Sequence, residues 1–109
     1  MERYNVVVTD AAKADIRAAV RYIAVELRQP DTAENYLNRF DKEIKSPETM
    51  PQSHGLVHDE YLAGLGIRMT TVENYLMFFS TDRGASMVTL LRALHGRRDW
   101  MNILKAESC

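Results

Sequence analysis

The chain has 109 residues, 46% hydrophobic and 27% charged, and fourteen basic against fifteen acidic side chains leave a net charge of -1. This is the composition of one globular domain, read here as residues 1–109, long enough to bury roughly 60–70% of its unfolded surface without staples. Near-neutrality argues against the broad electrostatic grip of a general nucleic-acid binder, and no apolar run approaches the roughly 18–20 residues of a membrane span.

Tyr4 to Val8 is short and rich in β-branched residues, which predicts a first strand. Thr9 or Asp10 is placed to cap the helix after it. In that helix Ile16, Val20, Ile23 and Leu27 form one apolar stripe, while Arg17, Arg21 and Arg28 lie off it as a solvated face. Pro30 ends the helix. Asp31 with Glu34 three residues on has the form of a capping box, opening a second helix with Ala33, Tyr36 or Leu37, Phe40 and Ile44 on one side. The two helices are expected to form an antiparallel hairpin. Pro47 to Gly66, with three glycines and two prolines, reads as one long irregular connection. The period then changes to that of strands: Ile67 to Val72, Tyr75 to Ser80 and Met87 to Leu94, with turns at Glu73-Asn74 and at Thr81 to Gly84. Asp99 to Leu104 closes the chain as a short helical turn. The order β-α-α-β-β-β predicts an α+β fold, a helical hairpin packed on one face of a small, mainly antiparallel sheet.

The charge is unevenly spread. Residues 83–105 hold Arg83, Arg92, Arg97, Arg98 and Lys105 against Asp99 alone, a local excess of four positive charges. A basic C-terminal third on a near-neutral protein suits an acidic patch or a few phosphates. Within it, Leu94-His95-Gly96-Arg97-Arg98-Asp99-Trp100 sets an imidazole and two permanent cations at the mouth of a strand. An imidazole there can act as acid or base, or bond the backbone at the strand end; the arginines can hold an anion, contact a partner or fork onto a carboxylate. Trp100 is expected to anchor the C-terminal turn to the core. Alternation sends Phe78 and Phe79 to opposite sheet faces.

Other reactive residues carry less. His54, His58 and Asp59 lie near one another, but Gly55 and Pro51 argue against the helix that would align them, and no metal or other cofactor is expected. Ser53, Ser80 and Ser86 lack a nucleophile elbow. Cys109 is alone and cannot form an internal disulfide, and Met1 to Asn5 has the wrong composition for a signal peptide, so a cytoplasmic protein with no membrane association is expected.

Three segments together resemble the ParE/RelE superfamily of toxins from type II toxin–antitoxin modules, also called plasmid stabilisation proteins. They are Val8-Thr9-Asp10-Ala11-Ala12-Lys13-Ala14-Asp15-Ile16, the pair Gly66-Ile67-Arg68-Met69 and Asn74-Tyr75-Leu76-Met77-Phe78-Phe79, and Leu94 to Trp100. The last is closest to the ParE-like branch, and the likeness covers essentially the whole chain. It implies a growth-arresting toxin, neutralised by a cognate antitoxin that wraps an apolar groove or a sheet edge. It further implies contact with DNA only through the antitoxin complex, and it is compatible with a homodimer.

Two targets exist in the superfamily. ParE-like members inhibit DNA gyrase by protein–protein contact; RelE-like members cut mRNA in the ribosome. RNA cleavage needs a base for the 2′-hydroxyl, cations for the phosphorane and an acid for the leaving oxygen. The resemblance implies lysines and arginines on the central strands of a RelE-like toxin, yet no lysine lies between Pro47 and Leu104 and the expected arginine after Tyr75 is Leu76. Arg98 matches the RelE-like arginine after the last strand, and the tyrosine expected six positions on is Leu104. The reading is therefore gyrase inhibition by a non-enzymatic toxin, with Arg68, Tyr75, Arg92, His95, Arg97 and Arg98 contacting target or phosphate. The alternative is an mRNA endoribonuclease using His95, Arg98 and Arg68.

Overall fold

A computed structural model describes residues 4–45, 55–82 and 84–108. Strand β1 (Asn5–Val8) leads into helix α1 (Asp10–Arg21), a π-turn (Tyr22–Glu26) and helix α2 (Pro30–Lys45). Then come β2 (Gly55–Leu56), α3 (Glu60–Gly64), β3 (Arg68–Val72), β4 (Tyr75–Asp82), β5 (Met87–His95) and α4 (Trp100–Ser108). The strands make one sheet in the order β1-β5-β4-β3-β2, with β1 parallel to β5 and every other pairing antiparallel. The α+β hairpin-on-sheet architecture is the one the sequence predicts.

Each face of the sheet has its own core. Against α1 and α2, Ala12, Ile16, Ala19 and Phe40 pack on Val72, Met77, Phe79, Val88, Leu90 and Ala93. On the other face, Phe78 and Leu94 meet Val57, Leu62, Ile67 and Leu104 from the α3 segment and α4. Phe78 and Phe79 do point to opposite faces, as alternation requires, and Trp100 stacks on Phe78 at 5.2 Å between ring centroids. That stack anchors α4.

Several sequence-level boundaries move, each for a local reason. Thr9 is the N-cap of α1, its hydroxyl oxygen accepting the Ala12 N–H at 3.0 Å. The α1 stripe does not reach Leu27, which is 46% exposed. The π-turn adds a residue to one turn, the Leu27 N–H donating five residues back to the Tyr22 carbonyl, and this rotates the next residues away from the sheet. Pro30 does not end the first helix; Arg28 does, with φ of 52°, and Pro30 is the first residue of α2, where its missing N–H costs nothing. Asp31 therefore lies inside the first turn of α2, and the expected box with Glu34 is not built. Of the two candidates on α2, Tyr36 faces the core and Leu37 faces out.

The long connection is less irregular than its composition suggests. Gly55 and Leu56 add a two-residue strand to β3, and Asp59 caps α3 by accepting the Leu62 N–H at 3.0 Å. Pro47, Pro51, Ser53 and His54 lie outside the described residues, as do Arg83 and Cys109. The closing helix is longer than the expected turn, nine residues in place of a turn ending at Leu104. Lys105 pairs with Asp59 across α3 and α4 at 3.1 Å.

The last strand carries a β-bulge. Phe78 opposes Arg92 while Phe79 opposes Leu90, so Leu91 is the extra residue. Bulges strand backbone groups, and here side chains from α1 and its cap satisfy them. The Thr9 hydroxyl donates to the Leu91 carbonyl at 2.9 Å, and the Ala93 N–H donates to Asp15 Oδ2 at 3.1 Å. The bulge is thus keyed to α1, and it sets the direction in which the end of β5 emerges.

Candidate functional site

Beyond the bulge, β5 and β4 end together, His95 opposite Tyr75. The Tyr75 ring meets Tyr36, Phe40 and His95 edge-on at centroid distances of 5.9, 5.7 and 5.3 Å. Burial raises its phenol above the usual range, and the Tyr36 and Tyr22 phenols add in the same direction, so Tyr75 stays protonated at neutral pH. The Asn74 carbonyl accepts the Gly96 N–H at 2.8 Å, and the His95 carbonyl accepts the Arg98 N–H at 2.9 Å, closing a tight turn. Inside the turn the Arg97 N–H donates to His95 Nδ1 at 3.1 Å. A neutral His95 then carries its proton on Nε2.

A cavity of about 180 Å³ opens between this turn and α1, lined by Tyr75, His95, Arg98, Tyr22, Asp15 and the small residues Ala18 and Ala19 among others. Alanines on α1 leave the room; larger side chains there would fill it. Arg97 faces a second hollow with Glu73, Asn74, Leu76 and Gly96, so His95 forms the wall between the two.

The structure gathers some of the sequence candidates and separates others. Tyr75, His95 and Arg98 share one cavity, with Arg97 next to it. Arg92 is drawn into the fold. It forks onto Asp15 at 2.6 and 2.8 Å and also binds Glu107 of α4, and the Arg92 and Asp15 side chains keep 14% and 10% of their exposure. The Asp15 bond, the larger effect, and Glu107 hold its guanidinium still more firmly protonated than usual against the cost of burial. Arg68 stands opposite Phe79, four positions along the sheet from the Tyr75–His95 pair, or roughly 13 Å at strand rise. It does not face the turn. No carboxylate of the described residues pairs with Arg97 or Arg98.

Sequence reasoning misses Asp15, the acid that decides the fate of Arg92. A signal for it exists: Ala12, Asp15 and Ala19 recur at the spacing of one helix face, an acid among small residues on the side that packs on β5. Tyr22 is missed as well, although it ends α1 on the same face, four and three residues after Ala18 and Ala19.

A second surface lies on the opposite side of α1. Two adjoining hollows of about 360 and 420 Å³ share Ile16 and Arg17 and form a groove between the helices. Its floor is Val8, Ile16, Val20, Ala24, Leu37 and Ile44. Lys13, Arg17 and Arg21, four residues apart on α1, edge it against Asp41 of α2. Among the described residues no helix is long and apolar enough to cross a membrane.

Comparison with known proteins agrees with this architecture. Residues 6–100 match the family model described as "ParE toxin of type II toxin-antitoxin system, parDE". Among solved structures, the chromosomal ParDE system from P. aeruginosa superposes with a TM-score of 0.69 at 19% identity, covering 85% of this chain and 96% of that one. The RelBE2 toxin–antitoxin complex from Mycobacterium tuberculosis gives 0.53 at 18% identity, with 87% and 93% covered. No curated protein matches the sequence.

Proposed function

The chain belongs to the ParE toxin family of type II toxin–antitoxin systems, and from that premise we propose that it arrests growth in the cytoplasm by inhibiting DNA gyrase through protein–protein contact. The observation that carries this reading is the dispersal of the basic candidates. A ribonuclease needs several cations around one phosphate, whereas Arg92 is committed to Asp15 and Glu107 and Arg68 lies at another part of the sheet. What remains at the turn, Arg97 and Arg98 beside His95, is an exposed basic edge of the kind that steers and orients a protein partner.

The antitoxin is assigned to the groove between α1 and α2. Its apolar floor and row of Lys13, Arg17 and Arg21 suit an amphipathic segment with acidic residues along one border. Gyrase contact at the turn and antitoxin contact at the groove are then on different sides of α1.

One observation favours mRNA cleavage as a second reading: Tyr75, His95 and Arg98 line one cavity. The test runs both activities on purified components. Gyrase supercoiling is measured with added protein, and mRNA is mapped on translating ribosomes. Inhibited supercoiling or trapped cleavage complexes, with intact mRNA, is the expected result. Codon-positioned cuts with unaffected gyrase would replace the proposal by the second reading. Joint replacement of His95 and Arg98 by alanine is expected to leave the fold intact and weaken growth arrest; undiminished toxicity would move the contact site elsewhere.

A further inference from the structure

The two margins of the sheet differ. At one, β2 is a stub of two residues, Gly55 and Leu56, too short to template another chain. At the other, β1 runs from Asn5 to Val8, and among the described residues its only neighbouring strand is β5. That pairing is parallel, so alternate residues turn their backbone groups toward β5. The Asn5 N–H donates to the Ser86 carbonyl at 2.8 Å, and the Thr9 N–H to the Leu90 carbonyl at 3.2 Å. Residues 5, 7 and 9 therefore face β5, while Val6 and Val8 turn N–H and C=O to the open side. The usual guards of an edge are missing there. Residues 5–9 include no proline and no charged side chain, and the register shift of the sheet lies between β4 and β5.

We propose that β1 pairs with β1 of a second copy, antiparallel about a two-fold axis at Val7, joining the two sheets edge to edge. Three features select a copy of this chain as the occupant. With the axis at Val7, Val6 of each copy lies opposite Val8 of the other. Both members of each such pair present outward N–H and C=O groups, so the alternation closes on itself. Val7 then stands opposite its own counterpart in a non-hydrogen-bonded pair, where side chains come closest, and in the single chain it is 42% exposed. Met87, exposed as well, sits beside Asn5 on that same face and lengthens the apolar strip. Finally, a strand without charge meets its symmetry mate without repulsion. The cations that suit an acidic segment, Lys13, Arg17 and Arg21, border the helical groove instead. β1 runs beside Met87 to Leu90, whereas the turn after β5 begins at His95, so pairing leaves both turns open. The dimer stands independently of the choice between gyrase and ribosome.

Sedimentation of the full chain over a range of concentrations is expected to give a monomer–dimer equilibrium with a Kd of about 10–100 μM, as for a small interface. Val7→Lys changes an exposed side chain and sets like charges opposite each other at the axis, which should weaken the dimer about tenfold. Val7→Glu should do the same. An equimolar mixture of the two variants should return to within about threefold of the parent, because only position 7 facing position 7 sets lysine against glutamate. Leu65→Lys, a half-exposed apolar residue between α3 and β3, should change the Kd less than about twofold. Amide exchange on the unaltered chain tests the same register without a variant. Raising the concentration is expected to slow exchange at Val6 and Val8 and to leave Val7, which faces β5, unchanged. A chain that stays monomeric would overturn the dimer and leave the edge to a strand of another protein. Equal losses from Val7→Lys and Leu65→Lys, a mixture no better associated than either variant, or exchange indifferent to concentration at Val6 and Val8 would each overturn it too. None of these readouts involves gyrase, ribosomes or growth, so the dimer and the target proposal fail separately.

Discussion

Arg92 and Arg98 are six residues apart in one basic stretch, yet they belong to regions with different purposes. In the bulge of β5, Arg92 is forked onto Asp15, reaches Glu107 and is largely shielded, so its charge is consumed in joining α1, β5 and α4. In the turn after β5, Arg98 meets no carboxylate of the described residues and stands open at a cavity. The residue type is the same. What separates them is whether the fold supplies an acid, and that contrast divides a structural cation from one available to a ligand or partner.

The contrast can be broken most forcefully at Asp15. Replacing it with alanine leaves Arg92 shielded without its fork and the Ala93 N–H without an acceptor, and about 3 kcal/mol of stability should be lost. Urea denaturation reads this directly, and a loss under about 1 kcal/mol would mean the network is not what keys the bulge to α1. Removing Arg92 and Asp15 together should cost less than the two single losses added, because each single variant strands a partner.

A smaller effect is expected at Thr9, which both caps α1 and satisfies the Leu91 carbonyl. Thr9→Ala should destabilise by about 1–2 kcal/mol. Thr9→Ser keeps the hydroxyl and should recover most of it; equal losses in both would assign the effect to the methyl group instead.

The acid side of the stability profile sharpens the comparison with a third pairing. Asp59 is held below its ordinary value of 3.8, first by the Leu62 N–H it accepts and, against the cost of desolvation, by Lys105. A lowered folded-state value means its contribution is complete above 3.8 and is lost as pH falls through the folded value. Asp59→Asn should therefore flatten the decline in stability below that pH while leaving its shape near neutrality unchanged. A Tm profile with the same acid limb in both proteins would contradict this.

Smallest of all in stability is Arg98→Ala, expected within about 0.5 kcal/mol of the parent by denaturation, as for a surface residue without partners. Its consequence should be seen in growth arrest instead. A stability loss comparable to that at Asp15 would erase the distinction between the two arginines.

Much of the fold is legible in the sequence because its signals are local. The Thr9 cap acts over three residues, the strand alternation that parts Phe78 from Phe79 over two, and the Glu73-Asn74 turn joins adjacent strands. Sequence and structure part company where periodicity breaks without a marker. No residue type announces a π-turn, so periodicity alone keeps Leu27 on the buried stripe, and two residues suffice for β2, too few to show a period. At the site, the cluster of His95, Arg97 and Arg98 is visible as composition, but its division between two hollows is not.

Sequence alone determined the family, the helical hairpin with β1, β3, β4 and β5, and the stretch on which function is proposed to rest, since each is written in patterns spanning a few neighbouring residues. Tertiary structure decided which cations remain available. Arg92 meets Asp15 from 77 positions away, and the end of β5 and the alanines of α1 together shape the cavity beside Arg98. An ion pair forms through proximity in space, and proximity between distant segments exists only once the sheet and its helices have packed.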